Sequence, residues 1–278
     1  MKTELTRDAA YGRLLWMTDG RTEAAASLDY GLRIMVLRLA GRENLLYRQP
    51  EDLSDGFSTE QGWRLFGGHR FWAAPESRLS YYPDGEPVEY RIGDDCAELL
   101  QRTDPWTGFQ KTLRLSFDED GSLTVEHLLT NRGDAAVCAA PWGITTLRGG
   151  GRAELSFAGP GGGYAPNRVL AFWGKASPAD GRLSFTADSL LARHDPEGEK
   201  LKLGVYSPQG RIAAENLGQR LEISFPVHPI EACPDGGCNA ELYMNRHIME
   251  LETLGERKML APGESAVHRE RWRLSPAD

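Results

Sequence analysis

A chain of 278 residues with a net charge of −8 has length for one large domain or two small ones and buries its core without staples. The acidic balance argues against nucleic acid, which is bound by clustered cations. Four cysteines and a start without the apolar centre of a signal peptide point to a reduced, cytoplasmic setting. The longest apolar stretch, 135–144, is far short of the ~20 residues that cross a bilayer, so no membrane partner is expected.

The 31 glycines and 16 prolines are spread evenly and punctuate short segments of period-two character, the pattern of strands joined by turns. Residues 28–39 read as a strand, with Leu32, Ile34 and Val36 at alternate positions. Next comes GGHRFWAAPE at 67–76. Residues 112–117 and 122–130 form a hairpin about the turn at 118–121, with Leu123, Val125, His127 and Leu129 on one face. Strand character continues over 135–147, 200–205, 220–226, 241–254 and 266–274. No segment keeps apolar residues at i, i+3, i+4 and i+7 over three turns. The expectation is one all-β domain across 1–278, built of two packed sheets.

The richest chemistry lies in the last quarter. In IMELE, 248–252, strand alternation puts Ile248, Glu250 and Glu252 on one side and Met249 and Leu251 on the other. Two carboxylates on one partly apolar face need partners, water or a polar ligand. A solvated pair bonded to Arg246 or Arg257 explains them equally well. In GGHRFWAAPE, His69, Arg70 and Trp72 bring together the residue types that bind sugars: an aromatic face for C–H patches, and charged groups for hydroxyls. Glycine in a strand more often marks a bulge. In AAPWGITTLR, 139–148, Trp142 is a stacking platform or a core residue.

Several familiar sites are missing. GPGGG at 159–163 lacks the Lys-Ser/Thr of a phosphate-cradling loop. No serine sits in a nucleophile elbow, and no His-Glu-x-x-His occurs. CPDGGC, 233–238, has no second pair to complete a zinc site and reads as a turn. His127 reads as a satisfied core histidine, and His194, His228 and His268 are assigned nothing.

Taken in order, RLAGRENLL (38–46), GGHRFWAAPE, APWG (140–143), PDG (234–236), MELE (249–252), LAPGE (260–264) and Trp272 resemble the galactose mutarotase-like superfamily, in a bacterial branch with a Gly-Gly-x-x-x-Trp-x-Ala-Pro signature. The resemblance implies a β-supersandwich with a concave carbohydrate-facing sheet, a small-molecule sugar as partner, and no cofactor or metal. It implies aldose 1-epimerase-like acid/base chemistry, in which a late-strand glutamate takes the anomeric proton and a histidine protonates the ring oxygen. Glu250 is the best match for the base and Glu252 the second. Trp142 stands where the histidine is expected, leaving His69 as the acid if the cleft brings it within reach. Arg70, Trp72, Trp142 and Glu252 are the expected substrate-binding residues. A non-catalytic carbohydrate-binding protein is the alternative. A glycoside hydrolase or lyase is weaker, because the two carboxylates lie on one strand and flank no bond.

Overall fold

The computed structural model describes residues 1–50, 58–157, 164, 167–174 and 176–277. The glycine-rich run at 159–163 lies outside the described residues. In chain order the strands are β1 (Lys2–Asp8), β2 (Gly12–Thr18), β3 (Thr22–Ser27), β4 (Arg33–Leu39), β5 (Gly68–Ala74), β6 (Glu89–Ile92) and β7 (Ala97–Leu100). There follow β8 (Phe109–Phe117), β9 (Leu123–Asn131), β10 (Val137–Arg148), β11 (Arg152–Ser156), β12 (Leu170–Phe172), β13 (Leu183–Phe185) and β14 (Ser189–Arg193). The last are β15 (Leu201–Val205), β16 (Arg211–Asn216), β17 (Gln219–Ser224), β18 (Ala240–Met244), β19 (Ile248–Leu254), β20 (Lys258–Leu260) and β21 (Ser265–Pro276). The described residues hold no α-helix, only 3₁₀ turns at Arg78–Tyr81 and Ile230–Ala232. None of their helices is long and apolar enough to cross a membrane.

The strands form two antiparallel sheets. The larger, of 11 strands, runs β1-β2-β3-β4-β5-β10-β19-β18-β15-β12, with β20 also on β10. The smaller, of 10, runs β13-β14-β11-β16-β17-β21-β9-β8-β7-β6. Their facing sides make the core, from Leu123, Val125, Leu129 and Trp272 on one sheet to Phe71, Leu203, Met249 and Leu251 on the other.

The two outer faces differ, and that difference locates the site. In β21, Ala266, His268, Glu270, Trp272 and Leu274 are buried while Val267, Arg269, Arg271 and Arg273 are exposed, so the smaller sheet is solvated on its outside. Cross-strand pairs such as Arg114–Glu98 and Arg269–Glu126 cover it. In β19, by contrast, all seven residues are buried. Its outward side is covered too, by side chains of its own sheet and of the preceding loops.

The segment expected as one strand over 241–254 is a hairpin. Asn245 Oδ1 accepts from the backbone N–H of His247 (2.9 Å) and Ile248 (3.2 Å), an Asx-type turn that reverses the chain. The 233–238 segment is the expected turn: Pro234 O accepts from Gly237 N and Cys238 N, and both cysteines are free thiols. At the start of β5, Gly67 and Gly68 have φ of +91° and +71°, and a Cβ would lie 2.1 Å from Tyr47 O and 2.3 Å from Ile34 O respectively. Only glycine fits that crossing.

Candidate functional site

Five adjacent strands, β5, β10, β19, β18 and β15, aim alternate side chains at the outer face of the larger sheet. Their register assembles residues distant in sequence. One row runs Thr146, Glu250, Tyr243, Lys202. The next runs Arg70, Ile144, Glu252, Glu241. Trp142 and Trp72 stand opposite each other beyond it. Of these, Arg70, Trp72, Trp142, Lys202, Tyr243, Glu250 and Glu252, with Trp63, Glu76 and Tyr81 from the flanking loops, line a cleft of about 250 Å³.

The walls are aromatic. Trp63, Trp72 and Tyr81 meet edge to face with centroids 5.1–5.5 Å apart, and Trp142 joins Trp72 at 5.6 Å. Cations cover two indoles: the Arg70 guanidinium lies 4.7 Å from the Trp72 ring and the Lys202 ammonium 4.7 Å from that of Trp142, an electrostatically favourable stacking.

The floor is charged. Arg70 holds Glu250 with Nη1 at 2.7 Å from Oε1 and Nη2 at 3.4 Å from Oε2, and the Thr146 hydroxyl donates to Oε1 at 2.8 Å. Both oxygens of Glu250 are therefore engaged. Glu252 is held on one side only. Its Oε2 accepts from Trp142 Nε1 (3.0 Å) and Lys202 Nζ (3.3 Å), whereas no hydrogen bond reaches Oε1 among the described residues. Burial pushes its pKa up, opposed by the Lys202 charge and assisted by Glu250.

Lys202 also lies 3.1 Å from Glu241 and 3.5 Å from Glu76. The Glu241 contact is close but badly aligned, so its oxygens accept no proper hydrogen bond. Burial raises the Glu241 pKa well above the carboxylate range, with Glu252 adding to it. Although burial opposes the charge on Lys202, the surrounding acids raise its pKa overall.

The structure brings Arg70, Trp72, Trp142, Glu250 and Glu252 together, but not His69. Alternation along β5 turns Arg70 and Trp72 to the cleft and His69 and Phe71 into the core. The condition set for His69 as the acid, reach to the cleft, is not met: the ring is fully buried between the sheets, and its hydrogen-bond partners among the described residues are the buried Thr145 and His127.

There His69 joins a second polar cluster. Its Nδ1 lies 2.9 Å from Thr145 Oγ1, its Nε2 lies 2.7 Å from His127 Nε2, and His127 Nδ1 lies 3.1 Å from the His268 carbonyl. A carbonyl only accepts, so His127 carries its proton on Nδ1 and accepts at Nε2. His69 then donates from Nε2 and accepts from Thr145. Burial first, then mutual repulsion, depresses His69 well below its ordinary value, and burial brings His127 to about 4. Beside them Glu270 accepts from Trp272 Nε1 (2.7 Å) and from the Thr253 hydroxyl, which also meets His268 Nε2 at 2.7 Å. Donor atoms of His69, His127 and Glu270 lie within 4.8 Å of one another, as a metal would require. The hydrogen bonds just described already account for them.

Lys202 and Tyr243 line the cleft, and Glu241 is buried beneath it against Lys202; none of the three was expected as a site residue from the sequence. In LKLGV (201–205), alternation does set Lys202 and Gly204 opposite Leu201, Leu203 and Val205. That pattern also describes an ordinary solvated face.

No family model and no curated protein sequence matches the chain. Solved structures do. A TPR-domain containing protein from Parabacteroides distasonis superposes with a TM-score of 0.65 at 17% identity over 96% of this chain, which spans 48% of that one. A candidate aldose 1-epimerase from Escherichia coli K12 gives 0.59 at 14% identity, covering 95% of this chain and 99% of that one. A galactose mutarotase-like protein from Clostridium acetobutylicum gives 0.55 at 11% identity, covering 100% and 99%. The fold is galactose mutarotase-like. At these identities the likeness concerns the fold, and function has to be argued from the cleft.

Proposed function

We propose that the cleft binds a free sugar or sugar derivative and that the protein interconverts its anomers by aldose 1-epimerase-like ring opening. The observation that carries this reading is a buried carboxylate, Glu252, with one free oxygen on the floor of an aromatic-walled cleft of monosaccharide size. The base takes the anomeric hydroxyl proton, and a raised pKa makes Glu252 a stronger base than an ordinary carboxylate. Glu250, the first choice on sequence, has both oxygens committed to Arg70 and Thr146 and serves to orient hydroxyls with Arg70. Lys202, already bonded to Glu252, takes the place of a histidine. As the anomeric oxygen loses its proton to Glu252 and the bond from the anomeric carbon to the ring oxygen breaks, the ammonium gives the ring oxygen a proton, and takes it back on reclosure. Trp72 and Trp142 pack the sugar's C–H face.

The inward turn of His69 favours a second reading, carbohydrate binding without catalysis. Anomer exchange measured by NMR across a panel of sugars separates the two. Acceleration that Glu252→Gln removes, with binding retained, supports the first reading. Saturable binding at the uncatalysed exchange rate supports the second. Absence of binding for every sugar refutes both. A hydrolase is disfavoured, since Glu250 and Glu252 lie two residues apart on one face of β19 and do not stand on opposite sides of a bond.

A further inference from the structure

A second cavity, of about 270 Å³, opens between the two sheets behind the Arg78–Tyr81 turn. Its lining is mainly apolar, with Leu79, Trp106, Phe109 and Val137, and it holds one amine, that of Lys111, and one carboxylate, that of Asp104. Along β8 the inward positions are Phe109, Lys111, Leu113 and Leu115. Lys111 thus occupies a place the strand period reserves for core, at the open rim of the inter-sheet space. It is 7% exposed.

Its ammonium makes no hydrogen bond and lies within 4.0 Å of no carboxylate among the described residues. Two acids are near enough to be felt, and both are committed elsewhere. Asp84 is bound to Arg33 at 2.6 Å. Asp104 accepts from Trp106 N (2.7 Å), Thr107 N (3.4 Å) and Thr107 Oγ1 (2.8 Å). Arg33 opposes the Lys111 charge, and burial depresses its pKa more than any neighbour raises it. A buried ammonium without a counter-ion is costly, and a cavity in front of it leaves space for one to arrive.

We propose that this cavity is a second ligand site, for a small carboxylate with an apolar body, whose acid group Lys111 binds while Leu79, Trp106, Phe109 and Val137 enclose the rest. The site is independent of the sugar reading. The two cavities nonetheless share the segment around the 3₁₀ turn: Glu76 and Tyr81 face the sugar cleft, whereas Ser77, Leu79 and Ser80 face this cavity.

Calorimetric titration of the full chain with hexanoate, benzoate and phenylacetate, each paired with its uncharged alcohol, tests the proposal. At least one carboxylate is expected to bind saturably, and its alcohol on the order of 10- to 100-fold more weakly, the worth of one charged hydrogen bond. Lys111→Met removes an unpaired charge at nearly constant volume, so it should fold at least as well as wild type and lose the binding. Leu79→Trp, which fills the cavity and keeps the amine, should lose it too. If no carboxylate saturates, or if Lys111→Met and Leu79→Trp bind as wild type does, the proposal is wrong.

Discussion

Glu270→Gln isolates the energetic consequence of a carboxylate buried among histidines. Glu270 is fully buried, and burial raises its pKa from an ordinary 4.5 to about 7 against the opposing bonds from Thr253 and Trp272. Between those values the native chain keeps a proton that the unfolded chain has released. Stability from this group is therefore fully present below pH 4.5 and is lost as pH rises through 7. At roughly 1.4 kcal/mol per pKa unit the whole effect is about 3 kcal/mol. His127 works the other way. Its folded value of about 4 lies below the ordinary 6.5, so its contribution is lost as pH falls. Comparing wild type with Glu270→Gln cancels the histidine part. Urea unfolding followed by circular dichroism at pH 5 and pH 8 supplies the comparison. Near pH 5 the variant replaces a neutral carboxyl by a neutral amide and should differ little from wild type. At pH 8 it should have gained about 2.5 kcal/mol relative to that difference, since roughly 0.8 kcal/mol of the whole is already lost at pH 5. If the gap between the two proteins is the same at both pH values, Glu270 does not titrate as described and the reasoning fails.

Further outcomes follow from the geometry. Arg70→Ala leaves Glu250 buried without its ion partner and should cost about 3–5 kcal/mol. Arg70→Ala in a Glu250→Gln background should cost clearly less, which a double-mutant cycle in urea measures. Gly143→Ala would place a Cβ 2.5 Å from Glu270 Oε1 and 3.2 Å from His127 Nε2. Glu270 is held at both ends, so the clash should cost about 1–3 kcal/mol. That loss should shrink when Glu270→Ala makes room, as thermal melts of the single and double variants will show. In the cleft, Trp142→Phe keeps an aromatic wall but removes the indole donor to Glu252. It should weaken sugar binding in calorimetry less than Trp142→Ala does.

How much of this was legible follows from what a period of two can and cannot express. Alternation separates the two sides of β19, so the carboxylates at 250 and 252 stand apart from the core residues between them. The same rule, applied to GGHRFW, forbids His69 and Arg70 from sharing a face. Reading the three side chains as one constellation overlooked that. Glu241 was lost for a subtler reason. In a single strand over 241–254, position 241 is eleven residues from 252 and falls on the opposite face. The Asn245 turn reverses the chain, and the antiparallel register then brings Glu241 directly across from Glu252. A local hydrogen-bonding choice by one side chain thus decides the membership of the site.

Lys202 and Lys111 expose a different limit. Each is a lone lysine in an apolar strand, and sequence alone makes both look like solvent-facing positions or strand ends. Lys202 points to the outer face of a sheet that happens to be covered, and three glutamates from β18, β19 and the loop after β5 converge on it. Lys111 points between the sheets, where no acid among the described residues comes within ion-pair reach. One cation is held by the protein's own carboxylates and the other faces an open cavity. The difference arises from which strands become neighbours, a long-range outcome that no short window of sequence contains. It is also why the two lysines carry different expectations: removal of Lys202 leaves buried acids unpaired and should destabilise, whereas removal of Lys111 relieves a charge and should not.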